Sequence, residues 1–470
     1  MAQTLLLALL LIFNQIHASI SHQSDEYYEV IVIGAGISGL TAAMELKKSG
    51  MKVLVIEAAE RIGGRLWTVN TWGTNLELGA SWIHGIENNP VFDIVRDLRE
   101  PIQPTIYNAK KPNCKLESIS LYDSKGRKLS KSQFNEIKKL SLEFGIYIDK
   151  IESQNNPTKM SILDAFENFC KDSQIIGERK EQLYQLSRIL YSNEYGAELK
   201  DIAILEYDYI NEMEALGTNA IMACGYNLVT SKMAIDLPIE LNCKVNQIIY
   251  DDKGVRCLTN KGSFVSQYAV VTVPLGVLKN KDITFNPCLP KEKIDAIDTL
   301  QMGLLNKVYL FFPYTFWDRS EWIVLLPSDE SADMQFDIMN SQRYFKQPVL
   351  LGFVSGDYAK KLEAWSDEEI VDSYMKVLRK IYGTNIPSPS AHLITRWGQN
   401  PLFYGSYSFL PTSKSGDNPY KWMKVSVNNK VFFAGEASSQ HEPSTVYGAF
   451  MRGQEVAKAI LGLAGKEIQH

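Results

Sequence analysis

Lys307, in this chain of 470 residues, could carry a proton if its side chain is buried. It precedes the apolar run Val308-Tyr309-Leu310-Phe311-Phe312, which is typical of a buried strand. Burial removes water from a lysine ammonium group, and this lowers its pKa and lets it give up a proton more easily. The residues alone favour the alternative, a lysine whose side chain extends along the strand to solvent.

A glycine-rich turn near the start of the chain suits a phosphate group. The apolar residues 30–33 lead into Gly34-x-Gly36-x-x-Gly39, and a helical pattern follows over residues 41–49. In such a turn the first glycine permits the tight bend, the second lets a pyrophosphate approach, and the third lets helix and strand pack closely. The helix N-terminus offers unpaired N–H groups to phosphate. The alternative is a turn in an α/β domain that binds no ligand.

Two further groups suit a dinucleotide. Glu57 follows a second apolar strand, residues 52–56, and lies 18 residues after Gly39, close to the ~20 typical of a carboxylate that binds ribose. Gly63-Gly64-Arg65 comes next. The glycines let the backbone pass close to a ligand, and the arginine offers a planar donor fork to phosphate. Taken alone, this loop could equally hold a solvated arginine.

The elements that must position these residues follow from the pattern of the chain. Residues 29–57 predict strand, turn, helix and strand, hence a βαβ unit with parallel pairing. Residues 241–273 predict an antiparallel meander that ends in a buried strand. A strand over residues 431–433 leads to Gly435-Glu436, and residues 444–450 open a terminal helix whose N-terminus favours negative charge.

The middle of the chain is more charged and is predicted to form a helical substrate domain inserted into the nucleotide-binding domain. Helical periods run over residues 131–149, 161–171 and 174–191, and a further helix is expected near residues 367–382. Four acidic residues in and after this region could attract a polycation, although a solvated acidic face is the alternative: Glu194, Glu206, Asp208 and Glu212.

Composition narrows the class of protein. The net charge is −5 without a basic block, which argues against nucleic acid as a partner. The six cysteines include no Cys-x-x-Cys, which argues against a metal site formed by cysteine. The apolar residues 5–13 predict a signal peptide over residues 1–19, and hence an extracellular or periplasmic protein, with an uncleaved anchor as the alternative. We expect no other membrane span.

Taken in order, these motifs resemble the flavin-dependent amine oxidases. They are the glycine fingerprint, Glu57, Gly63-Gly64-Arg65 and Gly79-Ala80-Ser81-Trp82-Ile83-His84-Gly85. The version with histidine is similar to the polyamine oxidase branch, the spermine and N-acetylpolyamine oxidases. Matching stretches extend from residue 29 to about residue 460.

The resemblance implies an α/β fold, a Rossmann-like FAD-binding domain of the GR2 type with an inserted α+β substrate-binding domain. The FAD-binding domain would comprise residues 26–107, 221–298 and 396–464. The substrate domain would comprise residues 108–220, which are helical, and residues 299–395.

The resemblance also implies roles for residues at the reacting end of the site. Lys307 falls where the family has a lysine that holds a water against flavin N5. His84 would hydrogen-bond a substrate nitrogen near the entrance. Tyr407 would form one wall of an aromatic sandwich around the amine, but Thr445 stands where some relatives have the second tyrosine, so only half of this cage is expected.

The cofactor would be FAD, held noncovalently because no Ser-Gly-Gly-Cys precedes the C-terminus. By resemblance, the backbone of Val245 contacts adenine, Trp397 lies near the isoalloxazine ring, Glu436 binds ribityl or pyrophosphate groups, and Val446 contacts a flavin carbonyl. The full set of expected FAD-binding residues is Gly34, Gly36, Gly39, Glu57, Gly64, Arg65, Ala80, Ser81, Trp82, Val245, Trp397, Gly435, Glu436, Thr445 and Val446.

The expected reaction is oxidation of spermine, spermidine or their N-acetylated forms. The carbon next to a secondary amine gives a hydride to flavin N5, the imine is hydrolysed to an aminoaldehyde and a shorter amine, and O₂ becomes H₂O₂. An L-amino-acid or monoamine oxidase is the first alternative, although no arginine for a substrate carboxylate stands out in the motifs. A noncatalytic binding protein, similar to the prenyl-GTPase dissociation inhibitors, is the second.

Overall fold

The computed structural model describes residues 27–100, 102–108, 118–152, 159–204, 217–326, 336–412, 418–440 and 442–466. The predicted signal peptide and the acidic residues Glu206, Asp208 and Glu212 lie outside these ranges, so those expectations stay predictions. Within the described ranges, none of the helices has both the length and the apolar character that crossing a membrane requires.

The first sheet is built around five parallel strands, as the βαβ pattern predicts. Their order is β9-β2-β1-β12-β21, and an antiparallel meander, β10-β11-β12, extends the sheet, with β13 pairing in parallel with β10. The strands are β1 (Tyr27–Ile33), β2 (Val53–Ile56), β9 (Ile239–Glu240), β10 (Val245–Asp251), β11 (Gly254–Thr259), β12 (Gly262–Val271), β13 (Thr284–Asn286) and β21 (Val431–Phe433).

The glycine turn joins β1 to the first helix, α1 (Ile37–Lys48). Gly34 has a φ of +109°, a conformation that side chains rarely adopt. A Cβ on Gly39 would lie 2.0 Å from the Gly34 carbonyl oxygen, so only glycine fits there. The helix therefore begins four residues earlier than its apolar pattern predicts, and it brings its N-terminus to the carboxyl ends of β1 and β2.

The second sheet has the order β19-β15-β18-β17-β16-β7 and is antiparallel except for the β16–β7 pair. Strand β7 comes from the region that was predicted to be helical, and it pairs in parallel with β16, about 200 residues later. The strands are β7 (Ile119–Tyr122), β15 (Leu305–Phe311), β16 (Trp322–Leu325), β17 (Phe336–Asn340), β18 (Val349–Ser355) and β19 (Ala391–Ile394).

The described residues form three smaller sheets in addition to the two large ones. Strands β3 (Thr68–Thr71) and β4 (Thr74–Glu77) form a hairpin, and β14 (Gln301–Gly303) pairs with β20 (Tyr407–Phe409). Strands β5 (Trp82–Ile83), β8 (Thr218–Met222) and β6 (Ile102–Asn108) form a third sheet. The predicted domain boundary between residues 220 and 221 therefore falls inside a strand.

Apart from the earlier start of α1, the helices agree with the predicted periods except over residues 174–191. The helix expected over residues 174–191 begins at Glu178, because Gln174 and Gly177 adopt positive φ angles of 56° and 62°. It continues into a π-helical turn, Arg188–Ser192. The helices after α1 are α2 (Pro90–Leu98), α3 (Lys131–Glu152), α4 (Ile162–Asp172), α5 (Glu178–Ser187), α6 (Asn193–Tyr195), α7 (Asn227–Met233), α8 (Leu275–Lys279), α9 (Lys291–Thr299), α10 (Gln342–Phe345), α11 (Gly356–Glu363), α12 (Asp367–Tyr382), α13 (Tyr420–Met423) and α14 (Val446–Leu463).

Candidate active site

One continuous cavity runs from the glycine turn, along the edge of the first sheet, to the second sheet. It is lined by residues from the N-terminal βαβ unit, from the meander, from the second sheet and from the last helix. Every residue predicted from the sequence to form the site lies on this cavity, except Gly39, which lies behind the turn and allows it to close.

The glycine-turn end of the cavity has the geometry of a dinucleotide cradle. Glu57 accepts hydrogen bonds from the backbone N–H groups of Ala35, at 2.6 Å, and Ala59, at 2.8 Å. These bonds fix its carboxylate beside the turn, and burial raises its pKa. Gly64 comes so close that a Cβ there would lie 3.4 Å from the Cα of Gly36. Two backbone loops thus border the place where a pyrophosphate would lie.

Arg65 ties the first part of the cavity to the last. Its Nη1 donates to Glu436 Oε1 at 2.7 Å and to the Ser406 carbonyl at 2.9 Å. The Glu436 carboxylate also accepts from Ser408 Oγ at 2.6 Å and from the Ser444 N–H at 3.1 Å. Arg65, predicted to offer its donors to phosphate, therefore uses one of its nitrogens to hold a carboxylate.

Lys307 is buried, with 3% of its surface exposed, so the alternative of a lysine reaching solvent is wrong. Its Nζ donates to the carbonyl oxygens of Glu77, at 2.8 Å, and Gly79, and to Ser81 Oγ. Strand β15 carries the lysine to the cavity from the second sheet, and its three acceptors belong to the last residue of β4 and to the segment that follows it. Burial lowers the pKa of Lys307, and the nearby carboxylate of Glu77 partly opposes this effect.

His84 is held as a neutral side chain beside the cavity. The Asn219 carboxamide accepts from the Gly85 N–H at 2.8 Å through Oδ1, and its Nδ2 lies 3.3 Å from His84 Nδ1. Since Nδ2 is a donor, His84 Nδ1 is the acceptor and the ring carries its proton on Nε2. Burial lowers the pKa of His84 to about 4, so the ring is neutral at physiological pH.

Aromatic side chains enclose the second-sheet end of the cavity. Trp397 Nε1 donates to the Leu78 carbonyl at 3.1 Å, and its ring packs edge-on against Phe403. The Tyr407 hydroxyl donates to the Asn193 carbonyl, which fixes the ring at this end. Thr445, the residue at the predicted second tyrosine position, accepts from the Gly448 N–H and caps the last helix.

Several residues at this end were not predicted from the sequence. Trp322 and Phe353 line the cavity from β16 and β18 and lie beside Trp82, at ring distances of 6.4 and 5.8 Å. Asn193 and Asn219 were also missed. Aromatic residues within apolar strands are indistinguishable from core, and a lone asparagine carries no spacing pattern, so only the three-dimensional arrangement reveals them.

The fold and the cavity are those of a nucleotide-binding flavoprotein with a second domain at the reacting end of the cavity. The chain belongs to the family of flavin-containing amine oxidoreductases, whose model matches residues 37–461. This membership confirms FAD as the cofactor and the predicted class of FAD-dependent amine oxidase at the level of the family. The glycine turn, the fixed Glu57 carboxylate and the continuous cavity fit such a cofactor.

Two groups of relatives have similar identities. The chain is 33% identical to lysine-specific histone demethylase 1 homolog 2 of Arabidopsis thaliana, over 93% of this chain and 58% of that protein. It is 31% identical to polyamine oxidase 2 of Arabidopsis thaliana, over 91% of this chain and 87% of that protein. The chain spans little more than half the length, 52–58%, of the plant demethylases that it matches.

A solved structure of a putrescine oxidase double mutant shares the fold, with a TM-score of 0.74 and 19% identity. The match covers 93% of this chain and 99% of that chain. At this identity the likeness shows the flavoprotein fold, which confirms the predicted fold class.

Proposed function

We propose that this protein is an FAD-dependent oxidase of polyamines, acting on spermine, spermidine or their N-acetylated forms with O₂ as the acceptor. The observation that carries the proposal is the charge at the reacting end of the cavity. Glu194 lines this end, whereas the cations that line the cavity among the described residues are held by protein acceptors. Arg65 binds Glu436, Lys244 binds Asp282, and the Lys307 ammonium group donates to the three acceptors described above. A carboxylate suits a cationic amine, and an amino-acid substrate would require a cation for its own carboxylate.

The residues at this end can perform the steps that the reaction requires of the protein. When bound, FAD supplies the hydride acceptor for the carbon next to the reacting amine. Aromatic side chains restrict the position of an alkyl amine and exclude water. They are Tyr407, Trp397 and, from the second sheet, Trp322 and Phe353. Lys307 holds a proton at its Nζ inside the cavity and can exchange it with a water during imine hydrolysis or reoxidation.

His84 supplies a neutral hydrogen-bond donor, Nε2–H, through its pairing with Asn219. Such a donor suits a substrate atom with a free lone pair, either an uncharged amine nitrogen or an acetyl oxygen. It does not suit an ammonium group. His84 would therefore favour a substrate with at least one uncharged polar group near the reacting carbon. The reacting amine is such a group, because an amine must be uncharged to be oxidised.

A second candidate is oxidation of the methylated amine of a lysine side chain. It is favoured by the 33% identity to lysine-specific histone demethylases, as high as that to polyamine oxidases. The substrate would still be a secondary or tertiary amine with its carbon against the flavin, so the site chemistry would be shared. The two candidates differ in the size of the group that follows the reacting amine.

A peroxide assay over a panel of amines separates these candidates. Purified holoprotein is tested with spermine, spermidine, N-acetylspermine, putrescine, tyramine, leucine and a dimethyl-lysine peptide. We expect peroxide with at least one of the first three and none with leucine or tyramine, with the aminoaldehyde identified by mass. Peroxide from the peptide alone supports the second candidate. Peroxide from leucine or tyramine alone contradicts both.

A further inference from the structure

Glu77 is a buried carboxylate that lies behind the cavity rather than on it. It is the last residue of β4, is 1% exposed and does not line the cavity. Its carboxylate accepts from Thr68 Oγ1, at 3.0 and 2.9 Å to its two oxygens, and from the Tyr226 N–H at 2.7 Å. The side chain is thus held in one orientation. No step of the proposed reaction uses this carboxylate.

The same residue is in direct contact with Lys307 through its main chain. The Glu77 carbonyl oxygen accepts from Lys307 Nζ at 2.8 Å and from the Tyr309 hydroxyl at 2.7 Å. The buried ammonium group therefore lies next to the residue that carries the buried carboxylate. A charge that is removed from water is costly unless an opposite charge is close by, and each of these two groups supplies that opposite charge for the other.

We infer that Glu77 is the residue that keeps Lys307 charged beside the flavin, acting through Lys307 and touching neither substrate nor cofactor. It is a positioning residue in this sense, and the inference rests on the role of Lys307 in the proposed function. The carbonyl contact fixes where the ammonium group lies, and the carboxylate of the same residue makes the charged form favourable there. The protein thereby keeps a proton available in a site that has been closed to water.

The other titratable groups that face Glu77 do not supply this charge. They are Tyr309 on β15, and Tyr226 and Cys224 in the segment before α7. Burial raises the pKa of each of the three, so all remain uncharged. Burial also raises the pKa of Glu77 and lowers that of Lys307, and the charge of each partner acts in the opposite direction. Removal of the carboxylate therefore makes Lys307 lose its proton at lower pH.

The test is a pH titration of the bound flavin's visible spectrum in the holoprotein, with no substrate present. In the wild-type protein we expect a midpoint that disappears in Lys307→Met. In Glu77→Gln the midpoint should move to lower pH by about one unit or more, the shift typical of a lost opposite charge. The pH profile of flavin reoxidation should move in the same direction. Because no amine is added, this result does not depend on which substrate is correct.

Three variants separate this effect from a purely structural one. Glu321→Gln makes the same change at an equally buried carboxylate, also 1% exposed, immediately before β16, and should leave the midpoint unchanged. Glu77→Asp keeps the negative charge, so its midpoint should lie close to that of the wild-type protein. This variant can be titrated even if Glu77→Gln binds FAD too weakly to be measured. In the Lys307→Met background, Glu77→Gln should change neither the spectrum nor the reoxidation rate further.

Three results would overturn the inference. The first is a midpoint in folded Glu77→Gln that equals that of the wild-type protein. The second is a wild-type midpoint that persists in Lys307→Met, which would show that the titrating group is not Lys307. The third is an effect of Glu77→Gln on reoxidation that is as large in the Lys307→Met background as in the wild type. The first or the third result would show that Glu77 serves only the packing of the β3–β4 hairpin.

Discussion

Lys307 has the position and surroundings of a group that exchanges a proton at the reacting end of the cavity. Three acceptors hold its Nζ, and burial lowers its pKa. We predict that Lys307→Met slows flavin reoxidation or turnover by about tenfold or more, as for the loss of a positioned acid or base, while FAD stays bound. Stopped-flow absorbance of the flavin measures both steps. Unchanged flavin kinetics in this variant would remove Lys307 from the mechanism.

His84 provides a prediction about substrate binding. We expect His84→Ala to raise KM for the preferred polyamine by about tenfold, the equivalent of one hydrogen bond, with a smaller effect on kcat. Because burial lowers the pKa of His84 to about 4, the ring stays neutral between pH 6 and 9. Steady-state kinetics across this range checks both points. An ionisation near pH 6.5 that is lost in His84→Ala would contradict the neutral ring.

For single residues, the sequence predicts which side chains could take part in the chemistry better than it predicts their burial and their contacts. Lys307 and His84 stand out by type and by resemblance, but the residues alone favoured an exposed Lys307. What decides its burial is contact with Glu77, Gly79 and Ser81, which lie more than 220 residues earlier. Asn219, which sets the proton of His84, lies 135 residues from it. No local pattern encodes such a pairing.

We expect cofactor binding to depend on the turn between β1 and α1. A Cβ at position 39 would lie 2.0 Å from the Gly34 carbonyl oxygen, so Gly39→Ala must push the helix away from the strand. We predict that this variant loses at least about nine-tenths of its bound FAD, because the helix N-terminus no longer faces the pyrophosphate. The ratio of flavin to protein absorbance measures it.

A matched control for that variant is available in the last helix. A Cβ at position 462 would have no neighbouring atom within 4 Å, and Gly462 does not adopt a positive φ. Gly462→Ala should therefore bind FAD as the wild type does, and should be slightly stabilised, because alanine favours a helix. A normal FAD content in Gly39→Ala would contradict the role given to the close contact.

Single elements were predictable where local signals agree. Helix α12 has the predicted bounds, because Ser366 and Glu369 form a capping box and Gly383 follows its end. The start of the helix predicted over residues 174–191 was wrong, because Gln174 adopts a positive φ that the sequence pattern does not reveal. Strand β7 was missed because four residues in a charged region become a strand only through pairing with β16.

For the whole molecule, the Arg65–Glu436 pair joins two segments 371 residues apart in the chain. Both side chains contribute to one cavity wall, and the glutamate is 5% exposed whereas the arginine is 24% exposed. We predict that Glu436→Gln lowers the free energy of unfolding by about 3 kcal/mol. This value is at the low end of the range for breaking a buried ion pair, because Arg65 is partly exposed to solvent. Chemical denaturation followed by circular dichroism measures this loss.

The pair Arg452–Glu455 offers the comparison for that variant. Its glutamate is 53% exposed, so Glu455→Gln should change the free energy of unfolding by less than about 1 kcal/mol. Similar losses in the two variants would contradict a special role for the long-range pair. The sequence placed both Arg65 and Glu436 at the cofactor, but it could not show that they bind each other, since each was explained by phosphate or ribityl contacts.

Oxidation of polyamines through FAD can be observed in a single turnover when the holoprotein is mixed with spermine, spermidine or N-acetylspermine without oxygen. We predict that at least one of these amines bleaches the flavin absorbance in a single turnover, that readmitted O₂ restores it with one peroxide per flavin, and that leucine has no effect. A flavin that stays oxidised with all three polyamines but is bleached by leucine, or by a dimethyl-lysine peptide alone, would contradict the proposed oxidation of polyamines.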